Sequence, residues 1–209
     1  MLPATEEQRL IRDSVAALAA DFGHEYFTAQ ARAGSNVDEL WKAAGKAGFI
    51  GVNLPEKYGG GGMGISELAI VIEEVATQGC PLLMLVVSPA ICGSIIAKHG
   101  SPDQQAKWLP GLASGDIQMS FAITEPNAGS NSHQITTNAT PDGDGWRSNG
   151  TKYFITGVDE SDAILVVACT ERDETTGRGR LSLFIVPTDA PGLSKTLIPV
   201  EMLAPERQF

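Results

Sequence analysis

The chain has 209 residues, a formal net charge of −10 and 43% hydrophobic residues, enough for one large domain or two small ones with real cores. Its acidic residues are scattered, which excludes a phosphate-tracking nucleic-acid surface and attraction to anionic lipid. Met1 to Gln8 is polar and acidic, and the most apolar run, Pro81 to Ala97, is interrupted by Ser88, Pro89 and Ser94; a soluble, cytoplasmic protein with no leader and no membrane span is therefore expected.

The first half reads as helices. Thr5 and Gln8 form a capping box, after which Ile11, Val15, Leu18 and Phe22 line one face. Asn36 and Glu39 repeat the device ahead of Leu40, Ala44 and Ala47, and Gly48 supplies the stop. Ser66 is the expected cap of a third helix, with Leu68, Val71, Ile72 and Val75 on its apolar face. A fourth apolar segment runs from Leu82 to Lys98 and ends near Gly100. Ser101, Pro102 and Gln104 then make another box with proline at the first helical position, and Pro110-Gly111 is expected to close the block. Glu73-Glu74 reads as a solvated helix face.

From Met119 the period falls to two. Met119, Phe121 and Ile123 alternate with Ser120, Ala122 and Thr124, and turn dipeptides follow at Asp142-Gly143, Asp144-Gly145 and Asn149-Gly150. Further strands are expected at 135–140, 151–156, 163–170, 181–186 and 193–200. Helices first and strands afterwards imply a segregated α+β fold: an all-α domain over 1–117, then an antiparallel β-barrel-like domain over 118–209, with the last strands of the second expected to lie past Phe209.

Cys80, Cys92 and Cys169 match no zinc or redox spacing, and His24, His99 and His133 are isolated, so no metal site is expected. The glycines from Gly59 to Gly64 lack the Lys-Ser/Thr of a phosphate loop. Chemistry concentrates in Phe121-Ala122-Ile123-Thr124-Glu125-Pro126-Asn127-Ala128-Gly129-Ser130-Asn131, a strand that breaks at proline into a small-residue loop able to approach a phosphate or ring closely. A strand over 151–156 would place Phe154 and Thr156 on one face, so that an aromatic ring and a hydroxyl meet one ligand.

The 121–131 stretch resembles the signature of the acyl-CoA dehydrogenases, a strand into Thr-Glu-Pro and then Ala-Gly-Ser. Gly150-Thr151-Lys152-Tyr153-Phe154-Ile155-Thr156 resembles that family's second flavin segment, and Leu54-Pro55-Glu56-Lys57-Tyr58-Gly59-Gly60 its early Pro-Glu-x-Tyr-Gly-Gly loop. The resemblance implies FAD as cofactor, lined by Phe121, Ile123, Thr124, Gly129, Ser130, Phe154, Ile155 and Thr156. It places Thr124 at the ring edge, Ser130 at the pyrophosphate or the acyl-CoA, Phe154 against the ring system and Thr156 near its reactive nitrogen. It implies α,β-dehydrogenation of an acyl-CoA in fatty acid metabolism, electron-transferring flavoprotein as acceptor, and a homodimer or homotetramer. No catalytic residue is expected within these 209 residues, because the family's base belongs to a final helical domain expected beyond Phe209. The segment alone is accordingly expected to be inactive. Asn131 stands where the family has Asp, and His133 and Gln134 where small residues are usual. An acyl-CoA oxidase relative, a non-catalytic flavin- or acyl-CoA-binding subunit, and a module acting only in protein interaction are the other readings the residues allow.

Overall fold

The structure, a computed structural model, describes residues 4–201 and 203–209. It divides into two compact units, Met1–Met119 with Val200–Glu206 and Ser120–Pro199 with Arg207–Phe209.

The first unit is helical: α1 Glu6–Ala20, α2 Gly23–Ala33, α3 Asp38–Lys46, α4 Ile65–Thr77, α5 Ser94–His99 and α6 Pro102–Ser114, with a π-helical stretch, Val86–Gly93, leading into α5. Two capping boxes stand where their residues indicate. Thr5 accepts from the Gln8 amide while Gln8 accepts from that of Thr5, and Ser101 and Gln104 do the same. Helix α3 ends in a Schellman turn, with Phe49 N–H on Ala44 O, Gly48 N–H on Gly45 O and Gly48 at φ +80°. The core gathers Val15, Leu40, Trp41, Ile50, Leu68, Val71, Val75 and Leu85, all buried.

Four expectations for this unit change. Helix α3 starts after Val37 with no side-chain cap, so Asn36 does not play that part. Helix α4 starts after Gly64, whose amide donates to Glu67, two residues ahead of the position that Ser66 as cap would require. Pro110 does not end α6; the helix continues to Ser114 because Leu109, Leu112 and Ala113 bury one continuous face, outweighing the one backbone bond that proline forgoes. Glu74 is buried, and Arg12 of α1 grips both Glu73 and Glu74. Helix α2 was not foreseen. The returning segment Val200–Glu206 brings buried Glu206 to the Leu83 amide, 2.9 Å away, a cap supplied from 123 residues along the chain.

The second unit carries a sheet of β1 Met119–Ala122, β2 Asn138–Asp142, β3 Gly145–Asn149, β4 Ala163–Arg172 and β5 Gly179–Pro187, in the order β1-β4-β2-β3 with β5 also on β4. Strand β4 reads Ala-Ile-Leu-Val-Val-Ala-Cys and is buried on both faces, as a central strand should be. It pairs antiparallel with β5, with a bulge between Cys169 and Glu171. The expected antiparallel barrel is corrected. Strand β2 joins β4 in parallel through one register pair, Asn138–Cys169, and then turns over Gly143-Asp144 into β3, all of whose residues are exposed. The expected strands 151–156 and 193–200 reduce to single bridges, of Thr156 and Ile198 with Gln208. The sheet among the described residues is therefore mixed and open.

Close helix packing in the first unit rests on Gly45, where an added Cβ would collide with the Ser114 carbonyl oxygen. Gly45→Ala should cost about 1–3 kcal/mol, read as a lower denaturation midpoint, whereas Gly48→Asn, which tolerates the left-handed conformation, should cost far less.

Candidate functional site

The two sequence segments singled out above lie side by side within the second unit. Two residues past the end of β1, the Thr124 carbonyl accepts from the Tyr153 amide at 2.9 Å. Pro126 and Asn127 then fill a tight turn closed by reciprocal backbone bonds between Glu125 and Ala128. After that turn the chain opens. Gly129 and Ser130 are exposed, and among the described residues their amides meet no protein acceptor. Apart from its own chain neighbours, no atom of the described residues lies within 4 Å of the position a Cβ on Gly129 would take.

Beneath this loop sits a buried ion pair. The Glu125 side chain is 3% exposed and lies 2.9 Å from Lys152 Nζ, which also donates to the Ile123 carbonyl at 3.0 Å. Its other donors are Thr136 N–H and Oγ1, both at 2.7 Å on Oε2, and Thr137 N–H at 3.0 Å on Oε1. Burial alone would raise the carboxyl's pKa, but the bonds from Lys152, Thr137 and Thr136 outweigh it and hold the group at about 2. Burial lowers the Lys152 pKa, with Glu125 opposing. A carboxylate so deep and so fully occupied cannot serve as a general base near neutral pH.

Phe154 departs from the expected geometry. It adopts φ +59°, the one non-glycine residue with positive φ among those described, so residues 151–156 are not a strand and Phe154 does not share a strand face with Thr156. Its neighbours pin it: Tyr153 N–H is bonded to Thr124 O, and Ile155 exchanges both backbone bonds with Phe209 at 2.8 and 2.9 Å. The residue is left 61% exposed, its ring edge-on to Tyr153 with centroids 5.3 Å apart. Holding a bulky residue there costs of order 1–3 kcal/mol and points to a functional position.

The remaining residues sort by depth. Phe121 and Ile123 pack against Ala128, Ile135 and Val167, and Ile155 is buried with Ala122, Val158 and Ile164. The Thr156 hydroxyl is half-buried and bonded to the Gln208 amide, while its carbonyl accepts from Ser120 Oγ at 2.8 Å. Asn131 and His133 are exposed, the first capping and the second within a short 3-10 turn, Ser132–Gln134. Lys152 and Gln208 were missed as contributors. Lys152 had a signal, a lone lysine in an otherwise uncharged segment facing a Thr-Glu-Pro loop; Gln208 had none. Among the described residues no group of His, Cys, Asp or Glu could hold a metal ion. Cys92 is deeply buried and its thiol is pushed up to about 12, which removes it as a nucleophile.

Glu125→Gln strands the Lys152 ammonium in the interior and should cost about 3–5 kcal/mol, measured by chemical denaturation. Because the folded-state pKa is depressed from 4.5 to about 2, the stabilisation from this carboxylate is complete above about pH 4.5 and is lost as pH falls towards 2. The variant's deficit should therefore shrink across that window; a deficit that stays constant there would show that the charge is not its source.

Residues 5–116 match the family model described as "Acyl-CoA dehydrogenase, N-terminal domain", and residues 120–202 that described as "Acyl-CoA dehydrogenase, middle domain". The chain is 55% identical over 205 residues to acyl-CoA dehydrogenase FadE12 of Mycobacterium tuberculosis, covering 98% of this chain and 53% of that protein. Among solved structures it is similar to a glutaryl-coenzyme A dehydrogenase in complex with glutaryl-CoA (TM-score 0.91, 27% identity, covering 100% of this chain and 53% of that one). It is also similar to the glutaryl-CoA dehydrogenase of Mycobacterium smegmatis in complex with FADH2 (TM-score 0.85, 27% identity, 98% and 52%). The chain thus spans about half the length of these relatives.

Proposed function

The chain belongs to the acyl-CoA dehydrogenase family, and from that membership we propose that the whole protein carries out FAD-dependent α,β-dehydrogenation of an acyl-CoA thioester, these residues supplying the flavin-binding part. The observation that carries the reading is the exposed Phe154 ring, forced outward by a left-handed backbone next to a loop with open amides at Gly129 and Ser130.

The residues fit such a cofactor chemically. Gly129 and Ser130 offer two amides and a hydroxyl to a pyrophosphate, with no side chain obstructing approach. Phe154 offers a flat apolar surface for a ring system, and Thr124 and Thr156 offer hydroxyls on segments tied together by the Thr124–Tyr153 bond. Phe121, Ile123 and Ile155 support these contacts from the core side. When bound, FAD supplies hydride-accepting chemistry at the β-carbon of the substrate. The chain's own residues hold and orient that cofactor. Glu125 takes no part in proton transfer, so the base that removes the α-proton is assigned to a carboxylate outside residues 1–209. Ser130 is assigned a second role against the acyl-CoA. Electron-transferring flavoprotein is the proposed acceptor, the protein is proposed to act in the cytoplasm as a homodimer or homotetramer, and the division into a 1–117 helical domain and a 118–209 flavin-binding domain is part of the same proposal. No helix among the described residues is long and apolar enough to cross a membrane.

Anaerobic mixing with a panel of acyl-CoAs should bleach the flavin absorbance of the whole protein but not of residues 1–209 reconstituted with FAD, since a positioned base contributes on the order of 10²–10⁴ in rate. Failure of the whole protein to retain FAD, or rapid bleaching by residues 1–209, would overturn the respective halves of the assignment.

Phe154→Gly separates strain from function. Relief at φ +59° offsets the added flexibility of glycine in the unfolded chain, about 0.5–1 kcal/mol. The denaturation midpoint should stay level or rise while FAD affinity falls, and the two readouts moving down together would make Phe154 a packing residue only.

A further inference from the structure

The Thr156 hydroxyl has one proton to give, and its surroundings decide where that proton goes. Segment 207–209 runs antiparallel to 155–157. Ile155 and Phe209 exchange both backbone bonds, and Gly157 N–H donates to Arg207 O at 2.8 Å. Thr156 and Gln208 are therefore the intervening non-hydrogen-bonded pair, whose side chains stand closest and on the same face. The opposite face carries Ile155 and Phe209 into the apolar cluster with Ala122, Val158 and Ile164. On the other edge, Ile198 N–H donates to Gln208 O at 2.8 Å, so the glutamine backbone is held from both sides.

Both ends of the Gln208 amide reach the hydroxyl oxygen: Nε2 donates to it at 2.8 Å, and Oε1 lies 3.1 Å away as an acceptor. The shorter contact fills a lone pair of Thr156 Oγ1, a position that only a donor can occupy. What remains is the second lone pair and the hydroxyl's own proton, the proton restrained only by the longer contact to Oε1.

We infer that Gln208 is a positioning residue that orients the Thr156 hydroxyl as a hydrogen-bond donor to the flavin. The inference rests on the reading that Thr156 faces FAD. A ligand acceptor has to displace only the 3.1 Å contact, and the donation from Nε2 fixes how the hydroxyl is turned. Gln208 thereby sets flavin affinity and potential without contacting the reacting atoms.

The test uses the whole protein reconstituted with FAD and compares Thr156→Val, Gln208→Glu, Gln208→Met and the two double variants, reading the FAD dissociation constant and the flavin midpoint potential. Glutamate keeps the size of glutamine but, when ionised, only accepts, so it captures the Thr156 proton. Gln208→Glu should weaken FAD several-fold, the effect of one neutral hydrogen bond, and make the potential more negative. Gln208→Met should do the same to a smaller extent. In the Thr156→Val background both effects should shrink, the residual with glutamate being the bare influence of its charge. Equal effects in both backgrounds, or none in either while Thr156→Val alone shifts affinity or potential, overturn the inference and leave Thr156 at the flavin. If Thr156→Val is itself silent in both readouts, it is the placement of Thr156 that fails.

Discussion

A buried carboxylate that must stay ionised organises the second unit. Glu125 sits where water cannot reach it, so every oxygen lone pair has to be answered by the protein or the fold loses several kcal/mol. The donors that answer come from two separate stretches, Lys152 from one and Thr136 and Thr137 from the other, and Lys152 also donates to the Ile123 carbonyl of a third. Bonds to an ionised acceptor are roughly twice as strong as neutral ones, and here they converge on one point. Two loops that bear no regular secondary structure are thereby held at fixed spacing. A purely apolar contact of similar size would have given comparable stability with less directional constraint.

That fixed spacing propagates outward. With Lys152 anchored on Glu125, the next residue meets Thr124 through its backbone, and Ile155 is anchored in turn by Phe209. Phe154, between these two anchored neighbours, takes the left-handed conformation and stands out from the surface. The same anchoring splits the following residues by side: Ile155 and Phe209 go into the apolar cluster, while Thr156 and Gln208 stay on the polar face. The exposed Phe154 ring and the side on which the Thr156 hydroxyl lies thus both follow from the backbone bonds that flank them. The usual alternation of a strand would not have produced them.

The parts legible in the sequence are those set by neighbours three or four residues away. The Thr5 and Ser101 capping boxes, the buried face of α4 and the long apolar β4 are such cases, because a cap or an amphipathic stripe carries its own physics. Asn36 and Ser66 looked equally good as caps and failed, since Val37 and Gly64 offered starting points better matched to the helix faces that had to be buried. Pro110-Gly111 misled in the same way: both are carried through α6 by packing on the buried side. Nothing local could reveal Glu206 at the Leu83 amide or Gln208 opposite Thr156, pairings made across 123 and 52 residues. The candidate site was found by the resemblance of two short segments, but its geometry was not, because one positive φ at Phe154 cancelled the period-two argument.

The depth of Glu125 also bears on how the chemistry is divided. A general base needs a pKa near the working pH and a clear path to its proton, and the features that make Glu125 a good anchor remove both. Its bonds hold the carboxyl at about 2, and its oxygens are already shared among four donor groups. An acid–base group placed in this loop would have to give up some of those donors, and with them the spacing that presents Phe154 and Thr156. Rigid presentation of a cofactor and proton abstraction from a substrate therefore make opposing demands on one carboxylate. A protein that needs both functions is driven to keep the anchor in the β-rich unit and to bring the base from a different element.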